Sequence, residues 1–281
     1  MKILSQPYTG GGGRVPAKNL QRADSSKGEQ ARLVYQRRHE VCKLSSDRDK
    51  CCRVLAHSEH LGMLLISQPN NTTGNLFPGF GVRRFNMLDQ RLGNYVPVMK
   101  DVIRDLVVHP ENQELLLSCG QDKTARITNL SSCMEVAKFT SESELWACAW
   151  GQSGAVYLGT KRSQVELRDT REPLAEPTVI SFQGSERRPI IGLCFVPASP
   201  GNGLPHPGIL VLTLGSLWYW ELGAEVVQHR LSTPSSRLFS SLSFDLKSRL
   251  LLVTCRSVKT LKYHLIQTWL PAGRRPMLFT L

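Results

Sequence analysis

Short apolar segments separated by turn residues follow one another from Cys51 onward, without any long helical periodicity. One unit holds four such segments, at 103–108, 115–118, 124–129 and 134–139. The next unit begins at Leu145, which lies 42 residues after Ile103. A repeat of about 40–45 residues with four strands per unit is typical of WD-repeat propellers.

The same pattern extends on both sides of these two units. A looser unit precedes them, with apolar segments at 52–56, 63–67 and 81–85, and later units begin at Ile190 and Leu238. The last of these is irregular. We therefore predict an all-β fold, a WD-repeat β-propeller of about five four-stranded blades that is incomplete.

Because both faces of a blade pack on neighbouring blades, the central strands should be apolar throughout. The run Leu115–Leu117 agrees with this expectation. In the first strands, the alternation of Trp146, Cys148 and Trp150 predicts packing between blades, with a partner-facing aromatic surface as the alternative. Leu242 is placed in the core in the same way, sharing a strand face with Leu238.

The composition and the pattern of apolar residues change along the chain and predict three regions. Residues 1–50 form a basic, disordered tail with a short helix from Ser26 to Cys42, residues 51–256 form the blades, and residues 257–281 form a divergent basic tail. Arg168 is expected at the outer edge of a blade, next to water.

The net charge of +12 belongs mostly to the two predicted tails. Residues 1–50 carry +6 and residues 256–281 carry +5, which leaves +1 for residues 51–255. Nucleic-acid-binding surfaces gather their positive charge on a folded face. We therefore expect protein partners rather than direct contact with nucleic acid.

The eight cysteines are scattered and include no C-x-x-C pair or zinc-ligand spacing. We expect most of them to be reduced and packed in strands, and we expect no metal site, no cofactor and no catalytic site. No apolar run approaches the ~20 residues of a membrane span, and the first residues lack the ~7–15-residue apolar core of a signal peptide. An intracellular protein is expected.

Candidate partner-binding residues lie in the turns between second and third strands. In propellers these turns gather at one end, where loops often carry binding. The residues are Gln121, Lys123, Lys161 and Arg162, and the three basic ones would suit an acidic partner segment. Solvated loop charge is the simpler interpretation.

Several segments occur in the order found in one known family. They are Cys52–Val54, Ser67–Pro69, Pro78–Val82, Ile103–Arg104, Leu115–Ser118 with Asp122 and Thr124, the Trp146/Cys148/Trp150 set, and Leu252–Thr254. On these residues the chain resembles the RING-finger and WD-repeat ubiquitin-protein ligase of DNA-damage and replication-fork repair. The segment Pro78–Val82 and the Trp146/Cys148/Trp150 set are the specific signals.

The resemblance implies a substrate-binding or partner-binding module of a RING-type ubiquitin ligase. Such ligases act in protein ubiquitination and interstrand-crosslink repair, and their propeller binds replication protein A. The implied location is the nucleus, with the cytoplasm as a further location. The alternative is a WD-repeat scaffold protein with no ubiquitin-related role.

This chain departs from the family in two ways. It contains no zinc-ligand set for a RING, and the resemblance ends near Val258. We therefore expect no stimulation of ubiquitin transfer by this chain alone, although the family is one of ubiquitin-protein transferases.

Overall fold

The computed structural model describes the greater part of the chain after Val54. The described residues are 54–70, 79–183, 187–202, 204–231, 238–245, 248, 250–256, 261–267 and 277–280. The predicted tail at 1–50 and its short helix lie outside the described residues.

The described strands form five sheets of four antiparallel strands, each in chain order. The first sheet contains β1 (Leu55–Ser58), β2 (Met63–Pro69), β3 (Phe80–Asn86) and β4 (Arg91–Met99). The second contains β5 (Ile103–Val108), β6 (Leu115–Gly120), β7 (Thr124–Asn129) and β8 (Glu135–Thr140). The third contains β9 (Leu145–Trp150), β10 (Ala155–Thr160), β11 (Gln164–Asp169) and β12 (Thr178–Ser181).

The remaining two sheets follow the same plan. The fourth contains β13 (Ile190–Val196), β14 (Gly208–Thr213), β15 (Leu217–Leu222) and β16 (Val226–Leu231), with a 3-10 turn at Pro200–Asn202 in its first connection. The fifth contains β17 (Leu238–Asp245), β18 (Leu250–Arg256), β19 (Leu261–Gln267) and β20 (Met277–Thr280). The prediction of an all-β propeller built from four-stranded blades is confirmed.

The first strands of successive sheets lie side by side, so that β9 contacts both β5 and β13. Apolar side chains fill the space between each pair of neighbouring sheets. Between the second and third sheets, Phe139 and Leu117 from one side meet Leu158 and Cys148 from the other, all without exposed surface. Burying apolar area on both faces of every sheet is what favours this arrangement.

A β-bulge recurs near the start of the first strand in the second to fifth sheets. In each case a buried residue precedes an extra residue that has no cross-strand partner. The buried residues are Ile103, Leu145, Ile190 and Phe239, and the bulged residues are Arg104, Trp146, Ile191 and Ser240.

This bulge corrects the predicted face of β17. The sequence alternation places Leu238 and Leu242 on one buried face, but Leu238 is 57% exposed and Phe239 is buried in its place. The extra residue shifts the alternation by one position, and Leu242 lies half-buried against the core between the fourth and fifth sheets.

Arg168 is buried, contrary to the expectation that it lies next to water. Its guanidinium forms an ion pair of 3.1 Å with the buried Glu166 and donates to the backbone oxygens of Ala175 and Thr140. Since Thr140 belongs to the second sheet, the pair ties two sheets together. The hydrogen bonds offset the cost of removing both charges from water.

The fifth sheet continues past the boundary predicted at residue 256. Both β19 and β20 fall in the segment that the sequence assigned to a tail, and they pair in register with β18 and with each other. The segment Leu261–Gln267 alternates apolar and polar residues over its first five positions, which suits a strand. Among the described residues, no helix has the length and hydropathy needed to cross a bilayer.

Candidate functional site

The predicted partner-binding residues lie at one end of the sheets. Strands alternate in direction within each sheet, so the starts of the first strands and the turns between second and third strands share this end, which we call the upper end. The turn β6–β7 carries Gln121 and Lys123, and the turn β10–β11 carries Lys161 and Arg162. All four residues therefore face the same end.

The two upper turns have the same backbone shape. Each has three residues, and the third adopts a left-handed conformation, with φ of 62° at Lys123 and 64° at Ser163. In the first turn, Oδ1 of Asp122 accepts hydrogen bonds from the backbone N and the hydroxyl of Thr124, at 3.0 and 2.7 Å. Short polar side chains of this kind stabilise tight turns by bonding the backbone that follows.

The bulges bring Arg104 and Trp146 to the upper end. They are equivalent residues in neighbouring first strands, and both retain exposed surface. The guanidinium carbon of Arg104 lies 4.1 Å from the centre of the Trp146 ring, a cation–π contact. The Gln121 amide lies against the same guanidinium, and its donors and acceptors are satisfied when the amide oxygen faces Arg104, at 2.5 Å from Nη2 and 3.2 Å from Nε.

Glu144 connects this contact to the second upper turn. One carboxylate oxygen accepts from the indole N–H of Trp146 at 3.1 Å, and the other accepts from Nζ of Lys161 at 2.7 Å. The hydrogen bonds from Lys161 and Trp146 lower the pKa of Glu144. We call the connected set of Arg104, Gln121, Glu144, Trp146 and Lys161 the Arg104–Trp146 cluster.

The structure thus brings two of the four predicted residues, Gln121 and Lys161, into one network. The other two lie beside it. Lys123 is exposed, and Arg162 lies 3.9 Å from Glu142 in a pair that is largely exposed on both sides. Exposed pairs of this kind contribute about 0–1 kcal/mol.

Sequence reasoning missed Arg104 and Glu144 as members of the site. A signal for Arg104 was present, because it precedes Trp146 by one repeat length of 42 residues. The repeat therefore places the two residues at equivalent positions of adjacent sheets. Their contact follows only if the first strands of those sheets are neighbours.

The residues predicted for the core divide between core and surface. Cys148 and Trp150 are buried, and Nε1 of Trp150 donates to the backbone oxygen of Val107 in the second sheet at 3.0 Å. Trp146 is half-buried at the upper end, where the bulge separates it from the other two. Leu242 is half-buried, with its Cβ close to Gly192 of the neighbouring sheet.

Polar side chains near the interface between the second and third sheets take part in its packing, Cys119 and Cys148 in the core and His109 against the Trp150 ring. Burial raises the pKa of Cys119 and holds that of Cys148 well above its usual range, so both thiols stay protonated. Burial also lowers the pKa of His109, whose Nδ1 accepts from two backbone N–H groups of its own turn. In the described part of the chain, no three His, Cys, Asp or Glu residues are placed to hold a metal ion.

The two ends of the sheets differ in charge. We call the opposite end, with the turns between first and second and between third and fourth strands, the lower end. The described lower connections of the first four sheets carry one basic residue, Arg171. They carry seven acidic residues, which are Glu59, Asp89, Glu111, Glu114, Glu172, Glu176 and Glu225. Described upper connections carry the basic residues Lys100, Lys123, Lys161, Arg162, Arg187 and Arg188 and the acidic residues Asp101, Asp122, Glu142 and Glu144.

Comparison with known proteins gives a consistent result. A family model described as the E3 ubiquitin-protein ligase RFWD3 WD40 domain matches residues 35–268. The E3 ubiquitin-protein ligase RFWD3 of Ailuropoda melanoleuca is 28% identical over 173 residues, which is 61% of this chain and 22% of that protein. RFWD3 of Homo sapiens is 27% identical over 172 residues, 60% of this chain and 22% of that protein. The match thus spans about a fifth of the relatives' length.

Proposed function

The chain belongs to the family of the RFWD3 WD40 domain, and we propose from this membership that it is the partner-binding module of a RING-type ubiquitin ligase. The observation that carries the proposal is the family match over residues 35–268, which includes all of the first four sheets. The fold supports it, because propellers present clustered loops on a rigid scaffold. A module of this kind selects what is ubiquitinated and leaves the transfer to other domains.

The proposed partner is replication protein A, and the proposed setting is DNA repair in the nucleus. Both follow from the resemblance on Pro78–Val82 and on the set Trp146, Cys148 and Trp150. The Arg104–Trp146 cluster supports a role in protein binding, because Trp and Arg are the residues most enriched at the energetic centres of protein interfaces.

A binding measurement tests the partner. Purified replication protein A should bind the immobilised chain saturably, and the dissociation constant should be in the micromolar range or below. The chain should also compete with a full-length ligase of this family and reduce ubiquitination of replication protein A in a reconstituted reaction. A folded chain that shows neither binding nor competition would remove this partner and leave the scaffold alternative.

A localisation experiment tests the setting separately. A fluorescent fusion of the chain should be found in the nucleus and should accumulate at sites of DNA damage together with replication protein A. A fusion that stays outside the nucleus before and after damage would contradict the proposed role in repair.

A further inference from the structure

We propose that the Arg104–Trp146 cluster is the centre of a surface that binds an acidic protein segment, in which Asp or Glu residues are separated by apolar ones. The inference rests on the proposed function, since it names the chemistry of the partner that the module selects. Three features of the upper end support it: a fixed guanidinium, a net positive charge and a half-exposed lysine.

The first feature is the fixed position of Arg104. Its guanidinium is stacked at 4.1 Å on the Trp146 ring and bonded at its edge by Gln121. Ordering a long side chain is one of the costs of association, and here it is met before any partner arrives. A planar guanidinium held in this way matches the geometry of a carboxylate better than a mobile ammonium does.

The second feature is the difference in charge between the two ends. The described upper connections hold six basic and four acidic residues, a net charge of +2, whereas the described lower connections of the first four sheets hold one basic and seven acidic residues, a net charge of −6. An acidic segment is therefore attracted to one end and repelled from the other. Such an asymmetry steers the approach of a charged partner and raises the association rate.

The third feature is the ion pair between Lys161 and Glu144. The side chains of Lys161 and Glu144 are 51% and 26% exposed, so water screens the pair and its net contribution to stability is small. The Lys161 ammonium has three donors, so a carboxylate from a partner can bind it while Glu144 keeps its hydrogen bond. The Trp146 ring, which retains exposed surface beside this pair, offers an apolar contact to the residue next to that carboxylate.

The same surface suits a peptide better than nucleic acid. Asp101, Glu142 and Glu144 stand among the basic residues, and they would repel a continuous phosphate backbone. Nucleic-acid sites instead gather basic residues along a face with few acids. A peptide can place each carboxylate opposite a base and an apolar residue opposite the tryptophan.

The test measures binding of short fluorescent probes to the full chain. One pool of peptides has Asp and Glu separated by Leu or Phe, a second has Lys and Arg in the acidic positions, and the third probe is a single-stranded oligonucleotide. Fluorescence anisotropy should show that the acidic pool binds and the basic pool does not. High salt should weaken the binding, because screening reduces attraction between exposed charges.

Two variants locate the binding on the cluster. Arg104→Lys keeps the charge and loses the planar stack, and Trp146→Leu keeps an apolar residue and loses the ring. Each should weaken binding of the acidic pool by about tenfold, the loss typical of a central interface residue. The matched control is Arg171→Lys at the lower end, which should leave binding unchanged. Thermal unfolding of each variant shows that it is folded.

The outcomes separate this inference from the proposed function. Three results would each overturn the acidic-segment site. All three variants bind the acidic pool equally, the parent chain prefers the basic pool, or it prefers the oligonucleotide. If replication protein A still binds Arg104→Lys and Trp146→Leu as it binds the parent chain, the site is overturned and the proposed function stands. If the acidic pool binds at the cluster and replication protein A does not bind at all, the site stands and that partner is removed.

Discussion

Two interfaces can be compared, the one between the second and third sheets and the one between the fourth and fifth. The contacting residues occupy the same positions relative to the bulges, but one contact is a hydrogen bond and the other is apolar. Asp105 and Gly192 each directly follow the bulged residue of a first strand. Each contacts the residue two places after the bulged residue of the next first strand, which is Cys148 or Leu242. Oδ2 of Asp105 accepts from the backbone N of Cys148 at 3.0 Å. At the other interface, a Cβ on Gly192 would lie 3.0 Å from Cβ of Leu242.

The two interfaces also differ in how completely they exclude water. β9 lies between β5 and β13, and its Cys148 has no exposed surface. β17 contacts β13 and β14 of the fourth sheet, and its Leu242 is half-buried. A first strand with described neighbours on both sides thus holds a fully buried core residue. Leu242 occupies the same position in a first strand that has one described neighbouring sheet, and part of its surface stays exposed to solvent.

The largest effect is expected from one chemical change made at both interfaces. Leu158→Ala removes a fully buried side chain between the second and third sheets and should lower the free energy of unfolding by about 3–5 kcal/mol. Leu242→Ala should cost about 1–2 kcal/mol, because its side chain is already partly hydrated. Urea unfolding followed by tryptophan fluorescence measures both. Equal losses would show that the two interfaces are packed alike.

A pH effect should be confined to the interface that contains Asp105. Burial raises the pKa of Asp105 to about 6, above the value of roughly 4 in an unfolded chain. The folded state therefore favours the neutral carboxyl, and its contribution is complete below pH ~4 and is lost as the pH rises through about 6. Between pH 4.5 and 7.5, the parent chain should lose about 2 kcal/mol of stability relative to Asp105→Asn.

This comparison cancels the other titrating groups, because they are present in both proteins. Urea unfolding of both proteins across the pH range gives the difference directly. Parallel curves for the parent chain and Asp105→Asn would mean that water reaches the carboxyl in the folded state.

The smallest effect concerns the close contact of Gly192. Gly192→Ala places a Cβ at 3.0 Å from that of Leu242 and should cost about 1 kcal/mol through overpacking. In a Leu242→Gly background, the same change should cost nothing, since the opposing Cβ is gone. Gly201→Ala is the matched control, because open space surrounds that position. A cost for Gly192→Ala that is the same in both backgrounds would place the strain elsewhere.

The sequence by itself determined where most strands lie and that they repeat. Strands β5, β7 and β9 begin at the predicted residues Ile103, Thr124 and Leu145, because apolar runs between turn residues are a local property of the chain. The order of strands within each repeat also placed Gln121 and Lys161 in equivalent turns. Alternation within a strand gave the buried faces wherever the pairing is regular, as at Cys148 and Trp150.

Only the tertiary structure decided which side chains from different repeats meet. The bulges turn Arg104 and Trp146 toward the upper end and move Leu238 out of the core, and nothing in the alternation marks the extra residue. Arg168 is buried because Glu166 and a backbone oxygen of the neighbouring sheet meet its charge. These contacts join residues that are distant in sequence. They depend on how neighbouring sheets pack, which no single repeat contains.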